Sequence, residues 1–237
     1  QPRSRGLGDV YKRQAFLLES VEGGAARGRY SMIGLQPDLV WRCELGQVAI
    51  ARPLSEMPDF VPQPGDAFTS LRRLIGESRL DAGEVDLPMA AGLFGYLGYD
   101  MVRLMERLPP RKESGLGLPD AILIRPTVMV IFDAVRDEIS IAASVRPSPG
   151  IGAKAALETA RERIEAVLRA LEQRVPLDAT PSASSLPYPV PTSNVTPERY
   201  VEMVEAAKSY IRAGDIFQVV LSQRFDAPFT LPPFSLY

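Results

Sequence analysis

Short apolar runs broken by turn residues fill positions 15 to about 53, a rhythm that predicts an antiparallel meander. Ala15-Phe16-Leu17-Leu18-Glu19-Ser20 reads as a strand ending at a Gly23-Gly24 turn. Arg29-Tyr30-Ser31-Met32-Ile33-Gly34 and Leu39-Val40-Trp41-Arg42-Cys43-Glu44 read as the next two, and a Gly46-Gln47 turn leads into Val48-Ala49-Ile50. From Phe68 the period lengthens, and Phe68, Leu71, Leu74 and Ile75 share one helical face. Residues 88–97 return to an apolar strand, and Asp100 is placed to cap a short helix carrying Met101, Leu104 and Met105. Residues 121–132 and 138–145 supply two more strands joined by a turn over 133–137. A long helix follows, marked by Leu157, Ala160, Ile164, Val167, Leu168, Leu171 and Val175, and Pro176 stops it.

The chain has 22 prolines, and many lie between 176 and 197. Residues 176–195, rich in proline and serine, cannot bury a core and read as a linker. Thr196-Pro197-Glu198 then supplies an N-cap, a proline at the first helical position and an acid in the first turn. Tyr200, Val204, Ala207 and Ile211 form the expected buried stripe of that helix, with Gly214 its left-handed terminator. The organisation expected is a domain over 15–175, a linker over 176–195 and a second unit over 196–237. Strands and helices do not strictly alternate, so the predicted fold class is α+β, a mostly antiparallel sheet core with flanking helices.

Composition narrows the chemistry. A formal charge of −2 leaves no basic footprint, which argues against nucleic acid as a partner. No apolar run approaches the length of a bilayer span, so no membrane is expected. Cys43 is the one cysteine, which excludes an intrachain disulfide framework and fits the reducing cytoplasm. The absence of histidine removes Ser/His/Asp and Cys/His schemes from these residues, along with the commonest transition-metal ligand. The hexapeptide Asp9-Val10-Tyr11-Lys12-Arg13-Gln14 is what the DNA string GATGTGTATAAGAGACAG encodes. That string resembles a transposase adapter, so residues 1–14 read as a sequencing or assembly scar and receive no function.

The most informative stretch is Ala213-Gly214-Asp215-Ile216-Phe217-Gln218-Val219-Val220-Leu221-Ser222-Gln223-Arg224-Phe225. As a strand it would put Phe217, Val219, Leu221 and Phe225 on one side, and Gln218, Ser222 and Arg224 in a row on the other. An amide, a hydroxyl and a guanidinium in line suit an anionic or hydroxylated small molecule. By residue type alone, the same row is the solvated face of an antiparallel sheet. Gly92-Leu93-Phe94-Gly95-Tyr96-Leu97-Gly98 has glycine at every third position, which fits no nucleotide-binding spacing and reads as close backbone approach in a sheet.

Three segments together resemble the large subunit, component I, of the anthranilate synthase family. These are Gly214-Asp215-Ile216-Phe217-Gln218-Val219-Val220-Leu221-Ser222-Gln223-Arg224, Leu17-Leu18-Glu19-Ser20 with Gly28-Arg29-Tyr30-Ser31, and Gly92 to Asp100. The likeness runs over residues 15–237, with Ala91 and Ala134 as mild departures. It implies a lyase converting chorismate and ammonia to anthranilate and pyruvate in tryptophan biosynthesis, with glutamine amidotransferase (component II) as partner subunit. Gln218 is implied on the active-site strand. Related water-using enzymes carry a lysine there, and a neutral amide cannot be that base. Leu18, Glu19, Ser20, Tyr30 and Ser31 are implied to bind tryptophan as feedback inhibitor. The Mg²⁺ ligands and main catalytic residues are implied to lie past Tyr237, so this amino-terminal portion would hold one wall of the active site, no metal, and no activity alone. Two alternatives stay open: component I of aminodeoxychorismate synthase, and a non-catalytic module binding an amino acid.

Overall fold

The structure, a computed structural model, describes residues 15–20, 28–52, 59–81, 87–111, 117–146, 148–173 and 189–230. The expected scar at 1–14, the Gly23-Gly24 turn, most of the expected linker (176–188) and the segment 231–237 lie outside them. The chain separates into two compact units, Gln1–Arg174 and Val175–Tyr237.

The first unit holds two sheets, and every ladder among the described residues is antiparallel. Strands β1 (Ala15–Leu18), β2 (Tyr30–Leu35), β8 (Val128–Asp133) and β9 (Glu138–Ala143) form one, in the order β1-β2-β8-β9. Strands β3 (Leu39–Glu44), β4 (Gln47–Ala51), β5 (Phe60–Pro62), β6 (Phe94–Leu97) and β7 (Ala121–Arg125) form the other, in the order β5-β4-β3-β7-β6. The single strand expected over 121–132 is therefore two strands in different sheets. Buried Pro126 has no N–H for a ladder, so the chain turns out of one sheet there and enters the other. The β2–β3 connection changes sheet at the same level. Thr127 N–H donates to Leu35 O at 3.2 Å and Thr127 Oγ1 to Gln36 O at 2.7 Å.

Helix α1 (Ala67–Glu77) covers one face of the five-stranded sheet. It begins because the Asp66 side chain accepts the Thr69 N–H at 2.9 Å. Its Leu74 meets Leu39, Trp41, Cys43, Val48 and Leu123 in a buried cluster, and Trp41 Nε1 donates to Ser70 Oγ at 3.2 Å. The other face of that sheet meets the four-stranded sheet through Phe94, stacked on Phe16 with ring centroids 4.5 Å apart. The far face of the four-stranded sheet packs on helix α2 (Ala153–Glu172), where Val167 meets Val128 and Val130.

Two glycines are required by this packing. A Cβ on Gly34 would stand 2.1 Å from a Phe16 ring carbon, and one on Gly95 would strike the Ile122 carbonyl of the paired strand. Gly95 also has φ +152, where side chains are rarely found. Leu45 and Gly46 form the β3–β4 hairpin loop with φ of 49° and 77°, the paired left-handed geometry of a type I′ turn, one position earlier than expected. Leu45 tolerates it because the Asp120 carboxylate accepts its N–H at 2.7 Å.

The strand expected over 88–97 is short, because Met89 and Gly92 take left-handed φ and only Phe94–Leu97 pair. Asp100 does not cap the following helix. Gly98 occupies that position, the helix is a 3₁₀ turn over Tyr99–Leu104, and Asp100 binds Arg103 and Arg111 from its first turn.

In the second unit, Thr196 caps α3 (Pro197–Ala213) by accepting the Arg199 N–H at 3.2 Å, and Gly214 ends it at φ 81°. Two short strands, β10 (Thr192–Ser193) and β11 (Phe225–Asp226), pair with each other. The first falls inside the span read as linker. Of the expected buried stripe on α3, Ala207 alone is buried, while Ile211 is 44% exposed. A helix buries a stripe only where a second layer covers it.

Candidate functional site

Two segments carry the candidate residues, one in each unit. In the first, Leu18 stands opposite Met32 as the last paired residue of β1, and Glu19 and Ser20 follow it, both exposed. Tyr30 stands opposite Asp133 and Ser31 opposite Phe132. Successive side chains in a strand point to opposite faces. Leu18 and Tyr30 therefore fall on the face shared with Phe16, Met32 and Ile131, which meets the five-stranded sheet. Ser31 falls on the face that packs toward α2. The structure thus brings Leu18 and Tyr30 together, sets Ser31 on the reverse side, and leaves Glu19 and Ser20 at the open end of the strand.

Beside them is a feature that residue patterns alone did not reveal. Arg29 donates Nε to Asp133 Oδ1 at 2.9 Å and Nη2 to Oδ2 at 2.6 Å, and its guanidinium lies over the Tyr30 ring at 4.8 Å. The Asp133 carboxylate also accepts the N–H groups of Val135 and Arg136, at 3.0 and 3.1 Å. The Arg29 hydrogen bonds, and then these N–H groups, hold its carboxyl far below the usual carboxylate range. The pair joins residues far apart in sequence; its only sequence signal was an Arg and an Asp at the ends of two expected strands.

In the second segment the expected strand over 213–225 does not form, and only Phe225 and Asp226 pair. A strand exists where a neighbouring backbone takes its N–H and C=O groups. Among the described residues, Thr192 and Ser193 are the only ladder partners this segment has. Gln218 and Ser222 are exposed, and Phe217 is 94% exposed. Arg224 is fixed locally: its N–H donates to Asn194 Oδ1 at 2.8 Å and its Nε to Asp226 Oδ2 at 3.0 Å. The row Gln218, Ser222, Arg224 is therefore not assembled as a sheet face in this structure.

Neither segment lines either of two cavities in the first unit. One, about 560 Å³, is walled by leucines, Ile75 and Met89, with Ser78 and Arg79 its polar members. The other, about 590 Å³, has five arginines among its lining residues. Among the described residues, no three histidine, cysteine, aspartate or glutamate side chains gather as a metal ligand set, so no step is derived through Mg²⁺. No described helix is long and apolar enough to cross a membrane.

With the two-sheet unit, the capped helix and the Gln218 segment in place, residues 42–237 match the model of the chorismate binding enzyme family, and the chain belongs to that family. It is similar to anthranilate synthase component 1 of Cereibacter sphaeroides, 46% identical over 227 residues that cover 95% of this chain and 45% of that protein. The component 1 of Thermus thermophilus is 33% identical over 232 residues, covering 94% of this chain and 44% of that one. A crystal structure of anthranilate synthase component I from Streptococcus pneumoniae superposes with a TM-score of 0.69 at 25% identity, covering 92% of this chain and 45% of its own. The chain thus spans about half the length of the relatives it matches. The α+β architecture of antiparallel sheets flanked by helices is the one that the anthranilate synthase resemblance implied.

Proposed function

We propose that this chain belongs to the large subunit of an anthranilate synthase. The single observation that carries the reading is the 46% identity to the Cereibacter sphaeroides component 1, which extends over 95% of the chain and so through both units. The whole enzyme adds ammonia to the chorismate ring, expels the ring hydroxyl as water, and then breaks the enolpyruvyl ether to leave anthranilate and pyruvate. A glutamine amidotransferase subunit supplies the ammonia. Mg²⁺ would be held by the carboxylates that the resemblance implies past Tyr237, and there it would neutralise substrate carboxylate charge. Gln218, an amide that cannot deprotonate water, suits an enzyme whose nucleophile is ammonia. Tryptophan is the feedback inhibitor, and Glu19 and Ser20 at the open end of β1 are its proposed contacts.

The test is product analysis. A full-length subunit containing this sequence, given chorismate, ammonium and Mg²⁺, is expected to form anthranilate, read by its fluorescence. Accumulation of aminodeoxychorismate in its place would assign the protein to the folate-pathway alternative, and binding of tryptophan without turnover would leave only a regulatory module.

A further inference from the structure

The arginine-walled cavity lies where the chain changes sheet, between the β7–β8 corner, the end of α1 and the first turns of α2. Five arginines and two carboxylates line it. The carboxylates are already engaged. Asp38 takes Arg125 Nε at 2.7 Å and Nη2 at 2.8 Å, and Glu77 takes Arg52 Nη2 at 3.5 Å. Arg79, Arg146 and Arg163 complete the cationic wall, and among the described residues no further acid lines it.

Arg146 is the decisive residue. Its side chain is 16% exposed, and its Nε stands 3.9 Å from Asp38 Oδ2, beyond hydrogen-bond reach. Nε and Nη2 are both buried without a hydrogen-bond partner. Burial first, and the neighbouring Arg125 second, push its pKa down. A guanidinium nevertheless keeps its proton in a protein, so the structure holds a buried charge with two donors unmet. Water can satisfy the donors, but only an anion can also balance the charge.

We propose that this cavity binds a small dianionic oxyanion, inorganic phosphate or the phosphate of a monoester, with Arg146 and Arg163 as its principal ligands. A phosphate group carries about −1.5 to −2 charges at neutral pH and offers several acceptor oxygens. It therefore matches the three arginines left over, where a single carboxylate would balance only one of them. A planar guanidinium such as Arg146 presents paired donors to a phosphate in two parallel hydrogen bonds.

Thermal unfolding and titration calorimetry of the 237-residue chain with inorganic phosphate, against chloride at matched ionic strength, test the site. Phosphate is expected to raise the unfolding midpoint saturably and chloride is not. Arg146→Gln is expected to raise the phosphate-free midpoint, because it removes a buried charge whose Nε and Nη2 donors are unmet, and to abolish the phosphate response. Arg163→Gln, on the half-buried side of α2, keeps the fold and weakens phosphate about tenfold or more. It decides the matter if Arg146→Gln does not fold. Glycerol phosphate distinguishes a free from an esterified group, since only a site open to monoesters binds it. A phosphate response no larger than that of chloride overturns the proposal. So does a response retained in the foldable arginine variants, or displacement of phosphate by tryptophan.

Discussion

Asp133 shows how much one side chain organises at a strand end. It binds Arg29 through both oxygens and accepts the Val135 and Arg136 N–H groups of the β8–β9 turn. Its carboxyl is depressed on folding, so its contribution to stability is fully present above the ordinary carboxylate pKa of about 3.9 and is lost as pH falls toward the lower folded value. The unfolding midpoint is therefore expected to fall steeply below about pH 4. Asp133→Asn should lower the midpoint at neutral pH and flatten that acid limb; a limb as steep as the parent's would remove Asp133 from the explanation. Asp66 and Asp100 are depressed in the same direction, so the limb flattens without vanishing. Glu19 and Ser20 pose the opposite case, since they are exposed and their substitution disturbs no packing. Loss of a charged hydrogen bond to the tryptophan ammonium costs about 1.5–3 kcal/mol, or roughly ten- to a hundredfold in affinity. In the complete enzyme, Glu19→Gln and Ser20→Phe are expected to weaken tryptophan inhibition by about that factor, leaving kcat and KM for chorismate near normal. Inhibition curves unchanged in both variants would place the inhibitor elsewhere.

Local signals in the sequence located most strands and helices of the fold, because caps, turns and periods act over a few residues. Thr196, Pro197 and Gly214 sit where their chemistry puts them at the two ends of α3. Contacts distant in sequence were not legible. Nothing in the pattern of 121–132 says that Pro126 divides two sheets, or that Phe16 stacks on Phe94 to join them. The Gln218 segment misled for the same reason: alternation states which faces a strand would have, not whether a partner strand is there to pair with it. The sheet junction yields its own expectation. Gly34→Ala puts a methyl group where the Phe16 ring lies, so the ring must leave its stack on Phe94. Overpacking of this kind costs about 1–3 kcal/mol, read as a lower urea midpoint. A neutral Gly34→Ala would mean that the two sheets do not depend on the aromatic stack.

The two units differ in what they bury. Among the described residues, nearly all of the buried hydrophobic ones lie in the first, and Ala207 alone represents the second. Most helical stability in a protein comes from tertiary packing of an apolar face, and α3 buries Ala207 alone of its expected stripe. Trp41, the one tryptophan, is fully buried in the first unit and reports on that unit alone. Far-ultraviolet circular dichroism should therefore lose helical signal at lower urea than the Trp41 emission shift, and coincident curves would show one cooperative unit. Cys43 lies two residues further along the strand, on the same buried face as Trp41 and with no exposed surface. Burial, and next the Asp120 charge, push its thiol pKa up, and only the thiolate reacts. An alkylating reagent can thus reach Cys43 only while the five-stranded sheet stands open, which makes the lone thiol a stopwatch for how often that core breathes.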